Sequence, residues 1–192
     1  MKNPLDGQIH PLLARRRSAY VFDPHRTVGS DDLHALFEAA RWTMSSYNAQ
    51  PWRYIVGVRE RSPLVWEQLF SILLEGNQAW ARHAPVLLLG LAEQRFEYNG
   101  KANKAALHDL GAASASLTFE ATARGLAVHQ MSGIEPQKAR RLFDLDASIE
   151  PFTALAIGYA GNLDTADAEH ARRDRGTRQR KPLEQIILHG SL

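Results

Sequence analysis

The sequence predicts a mixed helix-and-strand domain of the α+β or α/β class, with one sheet covered by helices. Three observations lead there. Trp52, Tyr54, Val56 and Val58 alternate with Arg53, Ile55, Gly57 and Arg59, the pattern of a strand. A continuous apolar run, Val86-Leu87-Leu88-Leu89, opens behind Pro85 and reads as a buried strand. Helix-period stretches stand between such strands, the longest from Asn103 to Arg124.

The elements follow in order. Ile9 to Arg17 reads as a short helix that ends in three arginines, Arg15, Arg16 and Arg17, before Ser18. So many donors in one turn suit a phosphate monoester, although an isolated arginine triplet is more commonly a solvated basic surface. Ser30 or Asp31 can cap the next helix, whose apolar face is Leu33, Leu36, Phe37 and Ala40. After the Trp52 strand, Ser62-Pro63 starts a helix as cap and first residue, and Gly76-Asn77 is expected to stop it. Gln94 to Asn99 looks like a surface excursion.

The long helix from Asn103 carries Leu107, Leu110, Ser114, Leu117 and Ala121 on one stripe, with Gly111, Ala112, Ala113 and Ala115 among them. Small residues let a neighbouring backbone approach closely, and Gly125 is a good terminator. Leu126 to Met131 is a strand, Glu135-Pro136 starts a short helix, and Phe152 to Tyr159 is the last core strand. Beyond Gly161 the chain turns polar and basic, then ends in Ile186-Ile187-Leu188. A charge run of this kind is a solvated tail or an interaction arm, and the apolar end suggests that it docks.

The stretch Arg41 to Tyr54 organises the rest. A helix runs in and a strand runs out, with Ser45, Ser46, Asn48 and Gln50 between them and Pro51 closing the loop. Proline pushes Gln50 out of the helical region. A polar loop between two tryptophans is built to hold a planar polar ligand; an ordinary helix-to-strand turn uses the same residue types.

The 192 residues suit a single domain over 1–192, with 162–192 as a C-terminal arm. Lys and Arg total 23 against 21 for Asp and Glu, so bulk charge gives little reason to expect nucleic acid or an anionic membrane as partner. There is no cysteine, which removes disulfides, thiolate metal sites and a cysteine nucleophile. Met1 to Gln8 has no apolar core of signal-peptide length, and Val86 to Ala92 is too short to span a bilayer. A cytoplasmic location is expected. No Gly-x-Gly-x-x-Gly, phosphate loop, His-Glu-x-x-His or Gly-x-Ser-x-Gly appears, and the eight histidines include no i, i+4 pair, so no metal is expected. Without a nucleophile, metal site or acid–base pair, the hard chemistry falls to a bound cofactor.

The pieces resemble the FMN-dependent nitroreductase family. They are Arg16-Arg17-Ser18 with Phe22, the run Ser45-Ser46-Tyr47-Asn48-Ala49-Gln50-Pro51-Trp52, and Ala84-Pro85. Asp109-Leu110-Gly111, Gly125-Leu126 and Arg178-x-Arg180-x-Pro182-Leu183-Glu184 extend the likeness over nearly the whole chain. The resemblance implies a three-layer α/β/α sandwich of the α+β class with a central, mainly antiparallel sheet. It also implies an intertwined homodimer with FMN at the interface and the C-terminal arm docked on the partner.

By the same resemblance, Arg16, Arg17 and Ser18 contact the FMN phosphate, and Arg178 and Arg180 reach it from the tail. Ser45, Ser46, Asn48 and Gln50 line the flavin, the serines coming from the partner chain. Asn77 reads the pyrimidine edge, and Gly133 makes a backbone contact near N5. Tyr20 stands where the family often has Arg or Lys, so one contact there is lost or replaced. Met44 replaces the usual proline before the serines. Trp80 replaces a lysine of some members and is expected to wall the substrate side.

The implied activity is a ping-pong oxidoreductase that takes hydride from NADH or NADPH. The acceptor would be a nitroaromatic, a quinone or another small unsaturated molecule. The alternative is a flavin-binding or flavin-sensing protein without turnover. A nucleic-acid binder using Arg172 to Lys181 lacks an aromatic and basic stripe outside that arm.

Overall fold

The computed structural model describes residues 8–190. Met1 to Gly7, read above as free of a signal peptide, lie outside the described residues, as does the very end of the arm at 191–192.

Four strands form one antiparallel sheet: β1 (Trp52–Val58), β2 (Val86–Glu93), β3 (Ala127–Met131) and β4 (Ile149–Gly158), in the order β1-β2-β4-β3. β2 is buried almost throughout because helices cover both of its faces. Val86, Leu88 and Ala92 pack toward α2 (Ser30–Arg41) and α5 (Ala106–Ala123). Leu87, Leu89 and Leu91 pack toward α3 (Pro63–Ser71), α4 (Glu75–Ala81) and α6 (Pro136–Leu142). Alternation along one strand thus feeds two cores, and the result is the expected three-layer α/β/α sandwich.

α5 ends as the glycine predicted. Gly125 adopts φ +76°, its N–H donates to the Thr122 carbonyl, and the Leu126 N–H donates to the Ala121 carbonyl. That pair of bonds is a Schellman closure. At the N-terminus of α2 the expected cap is corrected: Gly29 occupies the cap position and Ser30 is the first helical residue. Ser62 stands at the cap of α3, but its Oγ accepts the Val58 N–H instead of a helical one.

Gly76-Asn77 does not end the helix that starts at Pro63. α3 stops at Ser71, and α4 begins at Glu75 with Gly76 and Asn77 inside its first turn. The cause is tertiary. Leu73 bridges Ile134, the Glu135 N–H donates to the Ile72 carbonyl, and the Leu74 N–H donates to the Gly133 carbonyl. The intervening residues leave the helix to pair with the segment after β3.

The arm divides in two. Its first part contains a helix the sequence pattern did not show, α7 (Ala168–Arg175), capped by the Asp167 carboxylate on the Glu169 and His170 N–H groups. α7 packs on its own chain through buried Ala171 and Asp174. Beyond Arg180, Leu183, Ile186 and Leu188 are exposed.

Candidate functional site

α1 (Pro11–Arg15) delivers Arg16 and Arg17 just past its end; at the far end of the chain α7 carries Arg173, and the segment beyond it carries Arg178 and Arg180. Arg16, Arg17, Ser18, Arg173, Gly176, Thr177, Arg178 and Arg180 line one cavity of about 240 Å³. Hydrogen bonds fix the convergence. The Arg178 guanidinium donates to the Arg16 and Ala14 carbonyls, and the Arg17 guanidinium donates to the Asp174 carbonyl. Arg180 donates to the Gln179 carbonyl at 2.7 Å. Arg16 faces Ser18, with Nη1 3.5 Å from Oγ.

The charges in this cavity work against one another. Burial, then the neighbouring Arg180, pushes the Arg16 guanidinium below its ordinary value. Burial does the same to Arg178, with Arg16, Arg180 and Arg17 adding to it. Guanidiniums gathered in one cavity offer charge-assisted donors to an anion. They fit a phosphate monoester such as the FMN tail.

The central loop forms at the opposite end of α5. The Asp109 carboxylate, buried in the first turn of α5, accepts the Ser46 N–H at 3.0 Å. Ser45 Oγ accepts the Gln50 N–H at 3.0 Å, and the Gln50 amide donates to the Asn48 carbonyl at 3.3 Å. Tyr47, Asn48 and Gln50 all have positive φ, 53°, 52° and 46°. Left-handed backbone costs about 1–2 kcal/mol at a residue such as Tyr47 or Gln50. Strain on this scale clusters at binding sites, where the surroundings over-determine the loop.

Asn77 and Gly133 meet directly. Asn77 Nδ2 donates to the Gly133 carbonyl at 2.9 Å, and a Cβ on Gly133 would lie 2.5 Å from that nitrogen. That bond holds the amino group and leaves the carbonyl oxygen as the acceptor of the side chain.

Tyr20 and Trp80 lie together. Their rings meet edge-on at 5.5 Å, and Tyr20 also meets His129 at 4.7 Å, stacks at 6.1 Å on His170, and lies under Arg173. Trp80 is corrected. It is 2% exposed, stacks at 4.2 Å on His129 and packs on Phe22, so it offers no face to a substrate. A large indole at the end of a short amphipathic helix fills the core rather than lining a cleft.

The arginine cavity therefore gathers Arg16, Arg17, Ser18, Arg178 and Arg180, while Ser45, Ser46, Asn48 and Gln50 stand apart from it. A second cavity beside the first is lined by Arg15, Arg16 and Arg17 together with Thr122 and Gly125 at the C-terminal end of α5. Asp109, which holds Ser46, is 13 residues up the helix (122 minus 109). At the helical rise the two groups are roughly 20 Å apart along α5.

Sequence reasoning missed Arg173, His129 and Asp174. Arg173 was hidden in a charge run. Asp174 is the one acid between Arg173 and Arg175, and that interruption was its only signal. His129 carried none.

The profile of the nitroreductase family matches residues 13–159. The chain is 35% identical to an uncharacterized 15.4 kDa protein of Mycolicibacterium smegmatis, over 72% of this chain and 95% of that protein. It is 27% identical to the major NAD(P)H-flavin oxidoreductase of Aliivibrio fischeri, over 78% of this chain and 88% of that one. A solved structure described as an oxidoreductase containing FMN superposes with a TM-score of 0.90 at 26% identity, covering 98% of this chain and 95% of its own. The chain belongs to the nitroreductase family.

Proposed function

We propose that this nitroreductase-family protein, an NAD(P)H-dependent flavin oxidoreductase, holds FMN by its phosphate in the arginine cavity and reduces a small unsaturated acceptor by a ping-pong route. One observation carries the reading. Guanidiniums from both ends of the chain, with the Ser18 and Thr177 hydroxyls, line one small cavity, where burial first and neighbouring guanidiniums second depress Arg16 and Arg178. A dianion relieves that repulsion and accepts bidentate bonds.

FMN held there by Arg16, Arg17, Ser18, Arg178 and Arg180 would supply the redox chemistry between NAD(P)H and a nitroaromatic, a quinone or a similar acceptor. The protein's part is placement. Arg16, Arg17, Ser18, Arg178 and Arg180 anchor the phosphate. Asn77, held by Gly133, presents its carbonyl to the pyrimidine N–H. No fingerprint of a second nucleotide fold is present in the sequence, so donor and acceptor share one face and bind in turn.

The site is completed by a second copy of the chain. Within a protomer the strained loop and the arginine cavity stand at opposite ends of α5 and share no lining residue. Trp42, Met44 and Tyr47 stand 77%, 80% and 83% exposed around that loop, an apolar surface that a partner covers. The open Gly111 face of α5 and the exposed Leu183, Ile186 and Leu188 of the arm suit the same interface.

Steady-state kinetics test this reading. Purified protein should be yellow, bleach with NAD(P)H and regain colour with acceptor. Double-reciprocal plots against NAD(P)H and acceptor should be parallel. Intersecting lines would remove the ping-pong route, and colourless protein that takes up no FMN would remove the flavin.

A further inference from the structure

Asp174 stands in α7 between Arg173 and Arg175, yet it is 5% exposed and forms no ion pair with either among the described residues. Its carboxylate turns to the other end of the chain. Oδ1 accepts the Tyr20 N–H at 3.0 Å, and Oδ2 accepts the Tyr20 N–H at 3.1 Å and the Val21 N–H at 3.0 Å. Its backbone carbonyl accepts the Arg17 guanidinium. A carboxylate leaves water only where hydrogen bonds replace its hydration, and two successive backbone N–H groups do that here.

This contact joins the two halves of the anion cavity. Arg16, Arg17 and Ser18 sit on the segment that Asp174 grips, and Arg173, Gly176, Thr177, Arg178 and Arg180 sit on the segment that carries Asp174. Arg16 and Arg178 carry like charge in one cavity and are depressed by burial and then by neighbouring guanidiniums, so contacts between the two segments must hold their backbones together when no anion is bound. Hydrogen bonds to a charged acceptor are the strong kind. We infer that Asp174 is a positioning residue: its carboxylate clamps the Tyr20–Val21 backbone to α7 and thereby preassembles the arginine cavity for a phosphate group. Asp174 itself touches no ligand. The inference rests on the flavin reading only for its FMN arm; a cavity that collects orthophosphate carries it without a flavin.

The test uses full-length apo-protein as wild type, Asp174→Asn and Asp174→Glu. Orthophosphate binding is followed by the rise in melting temperature, and FMN and riboflavin binding by flavin fluorescence. Wild type should gain stability from orthophosphate. Asp174→Asn keeps the shape but loses the charge. It should lose that gain, bind FMN roughly ten-fold or more weakly, and bind riboflavin as wild type does. Hydrogen exchange at the Tyr20 and Val21 amides should speed up. Asp174→Glu, which keeps the charge, should recover part of the phosphate response.

Folded Asp174→Asn with wild-type phosphate and FMN affinities overturns the inference. So do equal losses for FMN and riboflavin, the mark of a merely structural residue. If Asp174→Asn does not fold, Asp174→Glu decides: an FMN-to-riboflavin affinity ratio equal to that of wild type overturns the clamp. Wild type that binds orthophosphate but no flavin defeats the flavin reading alone, and the phosphate arm then decides this one. Wild type that binds neither defeats both.

Discussion

The side chain of Asn77 donates through Nδ2 to the Gly133 carbonyl at 2.9 Å, and it occupies the space that a Cβ at Gly133 would need. Two residues that the family resemblance assigns separately to the flavin are thus one structural unit. Gly133 also accepts the Leu74 N–H, so the start of α4 and the segment after β3 are tied at a single carbonyl.

A Gly133→Ala substitution should therefore act through Asn77. The methyl displaces the amide and breaks the bond to the carbonyl. Loss of FMN and of riboflavin affinity should be similar, because the pyrimidine edge is common to both. Fluorescence titration with the two ligands checks this; a loss confined to FMN would place Gly133 at the phosphate end instead.

Arg16→Ala and Arg180→Ala should show the opposite split. Each removes charge-assisted bonds to a phosphate that riboflavin lacks, worth about 1.5–3 kcal/mol apiece. The same titration, run with these variants, should show weak FMN and near-normal riboflavin binding. Equal weakening of both would mean that the arginines do not reach the phosphate.

Subunit mixing tests the shared site. Arg16→Ala spoils the anion cavity and Asn48→Ala spoils the loop. If each site draws the cavity from one copy and the loop from the other, a mixed dimer of the two variants regains one intact site of two. Co-refolding should then restore activity that neither variant has alone. No gain on mixing, with mixed dimers shown by mass, contradicts a site built from two copies.

Trp80→Ala should cost stability rather than alter acceptor choice. The indole is buried against Tyr20, Phe22 and His129, and emptying such a position costs about 3–5 kcal/mol. Urea unfolding should show the loss. A stable variant with a changed acceptor preference would restore Trp80 to the substrate side.

Acid sensitivity should trace in part to His129. Burial pushes its imidazole below the ordinary histidine value; the Ala19 carbonyl and Asp174 oppose this, and Arg16 reinforces it. Nδ1–H donates to the Ala19 carbonyl at 2.8 Å. The unfolded chain thus takes up this proton at a higher pH than the folded one. Stability should be full above about pH 6.5 and fall as pH drops toward and through the lower folded value. The melting-temperature advantage of wild type over His129→Gln at about pH 7.5 should shrink at about pH 5. A wild-type acid slope that the substitution leaves unchanged would clear His129.

What the sequence determined by itself is local. Alternation marked β1, an apolar run marked β2, Gly125 placed the end of α5, and Pro51 kept Gln50 out of the helix, because each depends on neighbours a few residues apart. The arginine triplet and the serine-asparagine loop were equally legible, since their chemistry is written in their residue types. Tertiary structure decided the rest. α3 ends at Ser71 because Ile72, Leu73 and Leu74 find partners at Gly133, Ile134 and Glu135, some 60 residues on. Trp80 is core because Phe22 and His129 close over it. Asp174 is buried because Tyr20 and Val21, more than 150 residues away, present two backbone N–H groups to it. α5 holds the arginine cavity and the serine-asparagine loop apart. Each of these turns on which distant groups the chain brings within bonding distance, and spacing along the chain does not carry that information.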